Sequence, residues 1–465
     1  MLAQRARSPP RALFQGAARN VILMISDGAG FHTWTAASAF RHGRPGAEVF
    51  DAFPVKALMS THPLNTAREP TGDMTPQVGH DAAAAWSDAP VAGTVTGRIT
   101  KTDYPEAFAG YRYVRQDYTD SAAAGTALSA GIKTYNRAVN WTNDDRPARM
   151  IGDRVKAAGL GLGVVTSVQV SHATPAAFAA HNRARDDYAG IAAEMIEGGL
   201  ADVVMGAGHP LFDADGAPRT PDDARAFRFV GGEALFERLR GGATGHRFLD
   251  DRAGFEALAA RGAEGRVFGL APVASTLQYG RRGEPVASVP DLALMTRGAL
   301  ATLGARGTGF FLMVEGGAVD WACHGNRLER MIEEQIDFNR AVETAAAWIE
   351  AQGGWEETLL IVTTDHGNGM IYGPDSAEAA FQPVASAGRG VLPEVRWHFD
   401  QHTNEPVPLW AKGAGAGALA AAATGEDAEA AAQIGWEAAG WRGVLPRLDN
   451  TDVARVMAEA LDLPA

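Results

Sequence analysis

The sequence predicts an α/β protein with a doubly wound, mostly parallel central sheet and helices on both faces. Short, continuous runs of β-branched and aliphatic residues recur along the chain, and amphipathic helical patterns separate them. Parallel strands that helices cover on both faces have this uninterrupted apolar character. The predicted strands are 21–25, 163–166, 203–205, 310–314, 359–363 and 407–410.

Two helical patterns complete the alternation. One apolar stripe at helical spacing precedes the fifth predicted strand and consists of Met331, Phe338, Val342, Ala345 and Ile349. A final helix is predicted after a cap at Asn450 or Thr451. Its inward-facing residues are Val453, Val456, Met457 and Leu461.

Three regions depart from this alternation, and we interpret them as insertions. Residues 63–115 are rich in Gly, Pro, Asp and Thr, 213–285 mix charged helices with glycine-rich turns, and 413–443 are rich in Ala and Gly. Added loop length costs little entropy, so one scaffold tolerates such segments. We therefore expect an N-terminal extension, 1–19, followed by a single domain, 20–465.

Composition narrows the range of partners. A net charge of −13 and a pI near 5.4 argue against nucleic acid or an anionic membrane as the main partner. The sequence has no long uncharged apolar run, so no membrane span is predicted. The single cysteine, Cys323, excludes an intramolecular disulfide. Residues 1–19 lack the apolar core of an export signal.

The most informative stretch is 118–128, in which Ser121 follows Asp120 and enters a run of small residues. A serine nucleophile needs a group that lowers its pKa. The sequence has no Gly-x-Ser-x-Gly elbow with a partner histidine, but it has acids and histidines at metal-ligand spacing. We therefore favour metal activation of Ser121. The alternative is that Ser121 only caps an alanine-rich core helix.

Acids and histidines stand beside four of the predicted strands. One such residue would be more typical of a helix cap or a surface position, but their number favours a shared site. Carboxylates that meet at one sheet edge repel each other unless cations neutralise them. Mixed Asp and His sets suit zinc, whereas Asp, Glu and Thr oxygens suit magnesium. These residues are Asp27, Glu315, Asp320, His324, Asp365, His366 and His402.

The stretch 118–128 and its continuation, 129–136, resemble the nucleophile segment of alkaline phosphatases, except at Tyr118, where that family usually has a branched aliphatic residue. The block 168–177 resembles a second segment of that family. The resemblance extends over about 20–210 and 291–462, apart from the insertion that precedes the nucleophile segment.

Carried over residue by residue, the resemblance implies two zinc ions and one magnesium ion per chain. The first zinc set is Asp320, His324 and His402. The second zinc set is Asp27, Asp365 and His366, with Ser121 as an exchangeable ligand. The magnesium set is Asp27, Thr174 and Glu315, with His172 at a position where some bacterial members have an aspartate.

The resemblance also implies a phosphate-binding group. Arg185 stands where the family has an arginine that clamps phosphate, and Asp120 would orient it. Arg183 is the alternative, as a solvent-exposed arginine is the default in such a run. Trp321 stands where other members have a lysine or histidine that contacts phosphate through water.

The function implied is that of an alkaline phosphatase, which hydrolyses small phosphate monoesters through a phosphoserine at Ser121 and releases inorganic phosphate. The family is mostly exported, so we expect a periplasmic or secreted homodimer whose signal has been removed, and a cytoplasmic location stays open. No nucleic acid is expected as a dedicated partner. The alternatives are a phosphodiesterase of the same superfamily and a non-catalytic phosphate-binding protein. A sulfatase is excluded, because Cys323 does not lie in a Cys-x-Pro-x-Arg motif.

The insertion at 63–115 joins directly to the nucleophile segment. We therefore predict that it covers the rim of the site or a partner subunit. The alternative is a solvated loop of no consequence. Its aromatic residues include Trp86, Tyr104, Phe108, Tyr111 and Tyr113.

Overall fold

The computed structural model describes residues 17–91, Tyr104, 107–352, 354–436 and 440–464. These residues form a central sheet of eleven strands in the order β14-β15-β2-β13-β8-β1-β7-β3-β4-β6-β5, with two small two-stranded sheets beside it. The described strands are β1 Asn20–Ile25, β2 Val55–Ser60, β3 Gly161–Gln169, β4 Val203–Ala207, β5 His246–Leu249, β6 Arg266–Leu270, β7 Phe310–Glu315, β8 Thr358–Thr363, β9 Gly367–Asn368, β10 Ile371–Tyr372, β11 Arg396–Trp397, β12 His402–Thr403, β13 Val407–Gly413, β14 Gly425–Asp427 and β15 Leu445–Asp449.

The sheet is mostly parallel, as the sequence predicts. The seven consecutive strands from β8 through β1, β7, β3, β4 and β6 to β5 run parallel to one another. Strand β13 is antiparallel to both β8 and β2, and β14 is antiparallel to β15. All six predicted strands are present, as β1, β3, β4, β7, β8 and β13.

Helices cover both faces of the sheet. The described α-helices are α1 Phe31–His42, α2 Ala82–Ala85, α3 Ala109–Val114, α4 Ser121–Ala130, α5 Ile151–Ala157, α6 Ala173–Ala176, α7 Tyr188–Glu197, α8 Glu233–Arg240, α9 Arg252–Arg261, α10 Leu292–Ala305, α11 Ala318–His324, α12 Leu328–Gln352, α13 Gly417–Ala421, α14 Ala430–Ile434 and α15 Asn450–Ala460. On β1, Ile22 and Met24 join one hydrophobic core, whereas Val21, Leu23 and Ile25 join the other. This division confirms the doubly wound arrangement.

The two predicted helical stripes are buried, with one correction at a cap. The five stripe residues of α12 are fully buried. The cap of α15 is Asp449, not Asn450 or Thr451, because Asp449 has an extended backbone and its side chain accepts the Thr451 amide. The helix therefore begins one residue after the acid that satisfies its free N–H groups.

The segment 213–285 continues the alternation of helix and strand instead of interrupting it. It contributes β5 and β6, which extend the parallel sheet beyond β4. The sequence signal is weak because these strands are short and contain charged residues such as Arg247 and Arg266. The segment 413–443 likewise contributes the edge strand β14 and helices α13 and α14.

The described part of the insertion at 63–115 is packed against the rest of the chain. Trp86, Phe108 and Tyr111 are buried, and Tyr111 stacks on Tyr372 with ring centroids 5.5 Å apart. The hydroxyl of Tyr104 donates to the side chain of Asn326, two residues beyond His324. These contacts favour the rim prediction over a solvated loop.

Most of the predicted N-terminal extension, 1–16, lies outside the described residues. Within the part of the chain that the structure describes, no helix combines the length and the apolar character needed to cross a membrane.

Candidate active site

Ser121 is the first residue of α4 and is 2% exposed. Asp120 is the N-cap, since its side chain accepts the backbone N–H of Ala123 at 3.0 Å, so Ser121 does not serve as the cap. The Ser121 hydroxyl is 3.2 Å from Nε2 of His366. The small residues of α4 permit close packing, because a Cβ on Gly125 would lie 2.8 Å from the Cβ of Ala177.

Three acids meet because their strands are neighbours. Strand β1 lies between β7 and β8, so the carboxyl ends that carry Asp27, Glu315 and Asp365 adjoin. His366 Nε2 lies 3.1 Å from Asp365 Oδ2 and 3.7 Å from Asp27 Oδ1. Asp27, Asp365 and His366 thus offer ligand atoms that lie within 4.8 Å of one another.

A second group adjoins the first. Asp320, His366 and His402 also bring ligand atoms within 4.8 Å of one another. His324 stands beside them, with its Nε2 3.4 Å from Asp320 Oδ2 and 3.1 Å from His402 Nε2. The structure therefore brings together the three residues of the predicted first zinc set. It also shows that His366 lies between the two sets, since its ring stacks on that of His402 at 3.7 Å.

Backbone carbonyls orient two of these imidazoles. His324 Nδ1 lies 2.7 Å from the carbonyl oxygen of Asp400, and His402 Nδ1 lies 2.8 Å from that of Thr119. A carbonyl can only accept, so each Nδ1 carries the proton, and in the neutral ring each Nε2 keeps its lone pair for the cluster. Outer hydrogen bonds of this kind hold metal-binding histidines in place.

The predicted magnesium set lies on the other side of Asp27. The Thr174 hydroxyl donates to Asp27 Oδ2 at 3.3 Å. The hydroxyl of Thr166, on β3, donates to Glu315, a contact that no local sequence pattern indicates. His172 lies nearby in the cleft, with its ring parallel to that of Tyr188 at 6.0 Å.

Burial and mutual repulsion perturb the acids strongly. Burial raises the pKa of Asp27 well above its ordinary value, and Asp365 and Asp320 raise it further. Burial also raises the pKa of Glu315 to about 7. Asp27 Oδ1 and Glu315 Oε1 are buried and accept no hydrogen bond from any described residue. Anionic oxygens without donors fit divalent cations, which neutralise the charge and satisfy the oxygens together.

The acid beside the histidines, Asp320, has its pKa shifted in the direction opposite to that of Asp27 and Glu315. Burial alone would raise the pKa of Asp320, but His324 and His402 hold it well below its ordinary value. Burial alone would lower the pKa of His324, but Asp320 raises it to about 9. A proton on His324 thus balances the negative charge of Asp320, and a bound cation could balance it instead. The mixed oxygen and nitrogen donors fit zinc.

Arg185 faces the serine cleft, and Arg183 does not. Arg185 Nη1 is 2.9 Å from Asp120 Oδ2, and its side chain is 15% exposed. Arg183 pairs with Asp145 and is 55% exposed, so it is the solvated member of the pair. The open cleft has a volume of about 400 Å³ and is lined by Ser121, His172, Arg185, Tyr279, Asp320, Trp321, His324 and His402.

Two further residues shape the site, and only one of them is readable from the local sequence. Gly28 has a φ of +72°, and a Cβ there would lie 2.7 Å from Asp320 Oδ1, so only glycine lets the loop after β1 approach that acid. Tyr279 reaches the cleft from the loop after β6, in the segment interpreted as an insertion. Glycine next to Asp27 was a readable signal, but nothing local marks Tyr279.

The fold and the site define an α/β protein whose buried acids and histidines form a candidate centre for metal ions beside a serine and an arginine. The sequence matches the family description "Alkaline phosphatase" over residues 100–388. Because this match covers more than half of the chain, the chain belongs to the alkaline phosphatase family.

Curated relatives and solved structures agree with this assignment. Alkaline phosphatase 3 of Bacillus subtilis is 32% identical over 281 residues, which are 59% of this chain and 55% of that protein. The match thus spans about half of the length of that relative, and the same holds for alkaline phosphatase 4 of that organism. Alkaline phosphatase of Escherichia coli K12 is 28% identical over 77% of this chain and 72% of its own.

The fold is that of solved alkaline phosphatases. The structure of alkaline phosphatase from the Antarctic bacterium TAB5 covers 97% of this chain and 99% of its own, with a TM-score of 0.63 and 22% identity. A variant of that enzyme, with a histidine replaced by aspartate, has Mg bound in the M3 site.

Proposed function

We propose that this protein is an alkaline phosphatase, a phosphoric monoester hydrolase that forms a phosphoserine on Ser121. One observation carries the proposal. The Ser121 hydroxyl lies at a helix N-terminus, 3.2 Å from a histidine of the candidate metal centre, in the same cleft as Arg185. A serine hydroxyl is a weak nucleophile, and neighbouring groups of this kind are needed to lower its pKa.

The chain offers donors for two zinc ions and one magnesium ion. Asp320, His324 and His402 would hold the first zinc. Asp27, Asp365 and His366 would hold the second, with Ser121 as its exchangeable ligand. Asp27, Thr174 and Glu315 would hold magnesium, with His172 beside it. When bound, these cations would supply Lewis-acid charge that lowers the pKa of the serine hydroxyl and neutralises the phosphoryl group.

The protein's own groups would position the reaction. Ser121 Oγ gives up its proton to water and attacks phosphorus in line, and the bond from phosphorus to the ester oxygen breaks. The departing oxygen takes up a proton from water, and the alcohol leaves. Arg185 binds two phosphoryl oxygens with its planar fork. Asp120 holds that fork in place through its 2.9 Å contact, while its other oxygen accepts the amides of Ala123 and Arg137. Water then hydrolyses the phosphoserine and releases inorganic phosphate.

The relatives support a phosphatase without fixing its substrate. The protein would act on small phosphate monoesters, as a single catalytic domain. We further propose a homodimer in the periplasm or outside the cell. The Mg bound in the M3 site of the TAB5 variant, together with the buried acid and histidine groups of this chain, supports metal binding.

To test the proposal, the protein is loaded with zinc and magnesium. Its hydrolysis of a chromogenic aryl phosphate monoester is then compared with its hydrolysis of the matching diester. We expect the monoester to be the better substrate. Ser121→Ala should abolish the initial burst of alcohol and the phosphoserine trapped at low pH. Ser129→Ala is the matched control, because Ser129 lies on the same helix and bonds to Asn140, away from the cleft.

Two results would contradict the proposal. Faster hydrolysis of the diester would indicate a phosphodiesterase. Labelled phosphate on Thr119 or Thr126 would show that the nucleophile is misassigned.

A further inference from the structure

A row of aromatic rings borders the candidate active site. The Trp321 ring lies edge to face against His172 at 5.7 Å and against Tyr279 at 6.4 Å. His172, Trp321 and Tyr279 all line the cleft that contains Ser121 and Arg185. The row thus extends outward from the proposed magnesium side of the cleft.

The rings of Trp321 and Tyr279 are only partly buried. A core aromatic would be enclosed, as Tyr111 and Phe338 are elsewhere in the chain. At the outer end of the row, the guanidinium of the exposed Arg327 lies 5.7 Å from the centre of the Tyr279 ring. The row therefore leaves apolar surface open between the phosphate-binding groups and a polar rim.

Buried neighbours fix Tyr279 in its place. Two residues before it, Leu277 is 1% exposed, and its backbone N–H donates to the carbonyl of Ser167 on β3 at 2.9 Å. Two residues after it, Arg281 is 8% exposed and bonds to Glu333 on α12 at 2.6 Å. A ring held on both sides loses little conformational entropy when a ligand packs against it.

The position of Trp321 places the row of aromatic rings beside the expected leaving group of the phosphate ester. In-line displacement places the leaving oxygen opposite Ser121. Trp321 directly follows Asp320 on α11, and Asp320 contacts His324 and His402, which form with it the proposed cation set that does not include Ser121. A substituent on the leaving oxygen would therefore meet Trp321 first and Tyr279 next.

On the basis of the proposed function, we propose that Trp321 and Tyr279 form a leaving-group subsite that prefers aryl phosphate monoesters over alkyl phosphate monoesters. A planar ring can pack edge to face or offset against these side chains, whereas a flexible alkyl group gains only apolar contact. Tyr279 is the specificity residue, because it stands outside the sets of residues proposed to hold the cations and the phosphate group.

The test compares Tyr279→Leu and Tyr279→Phe with the unaltered enzyme, on naphthyl phosphate and on an alkyl phosphate of similar size. Each variant is compared with the unaltered enzyme on the same substrate, so the intrinsic reactivity of the leaving group cancels. Tyr279→Leu should lower kcat/KM for the aryl ester by about three- to tenfold and leave the alkyl ester within about twofold. Tyr279→Phe, which keeps the ring, should preserve both values, and inhibition by inorganic phosphate should not change.

A second measurement needs no variant. Phenylphosphonate should inhibit the unaltered enzyme more strongly than an alkylphosphonate of equal charge. Because neither compound is hydrolysed, the comparison measures binding alone. Equal inhibition by the two phosphonates, or equal changes on the two esters in Tyr279→Leu, would overturn the subsite. Absence of all monoester hydrolysis would instead refute the proposed function, so the two failures are distinguishable.

Discussion

Replacement of Arg185 by alanine tests the phosphate clamp most directly. The side chain is 15% exposed, so its hydrogen bonds to a phosphoryl group would be largely shielded from water. A hydrogen bond to a charged group contributes about 1.5–3 kcal/mol net, and the fork offers two of them. Arg185→Ala should therefore cost at least about 3 kcal/mol in the transition state, or a factor of about one hundred in kcat/KM for a monoester. A diester has one fewer charged oxygen and should lose only about tenfold.

The assay is kcat/KM for a chromogenic monoester and its diester, together with inhibition by inorganic phosphate. Arg183→Ala is the matched control and should have little effect, because that side chain is 55% exposed and pairs with Asp145. Asp120→Asn combined with Arg185→Ala should recover part of the loss, since it removes the acid left without its partner while keeping a helix cap. Equal losses on both substrates would refute the clamp.

Three further predictions concern the metals and the fold. Metal binding should release protons, so its affinity should fall as pH drops through about 7, the pKa of Glu315, and rise up to about pH 9, where His324 loses its proton. Calorimetry in two buffers would measure the protons released. A metal affinity that does not change with pH would contradict this prediction. Gly28→Ala should lower the zinc content at equilibrium dialysis, with a smaller effect on the melting temperature, because the added Cβ would press on Asp320. An unchanged zinc content would show that the loop shifts to accommodate the Cβ. Burial opposes protonation of His181, but its two acidic neighbours raise its pKa to about 9, so its stabilising effect is complete below pH 6.5 and lost above pH 9. Thermal unfolding of His181→Gln should differ most from the unaltered protein at low pH and converge with it at high pH; a constant difference would exclude the linkage.

The sequence predicts the centre of the fold well, for a physical reason. Strands covered on both faces are continuous apolar runs, and six of them are readable from residue type alone. The same reasoning places Asp27, Glu315 and Asp365 together, because parallel strands end at one edge. The structure brings the whole predicted set of site residues to that edge, although their roles stay predictions.

The edges of the sheet and the mouth of the cleft are less predictable. Strands β5 and β6 contain charged residues at partly exposed positions, which weakens their apolar pattern. Tyr279 is held at the cleft by contacts between distant parts of the chain, such as that of Leu277 with Ser167 and that of Arg281 with Glu333. Such tertiary contacts leave no local pattern to read. The Asp449 cap shows the usual uncertainty of one residue at a helix end.

The candidate metal ligands come from segments spread between Asp27 and His402, and His402 is oriented by the backbone just before Ser121. An unfolded chain cannot gather ligands from such distant segments, so cations held there would bind the folded state alone. Their binding free energy would then add to the free energy of unfolding. Newly made chains would have to close the central sheet before they could bind such cations, and chains without them would open more often and be more exposed to proteolysis.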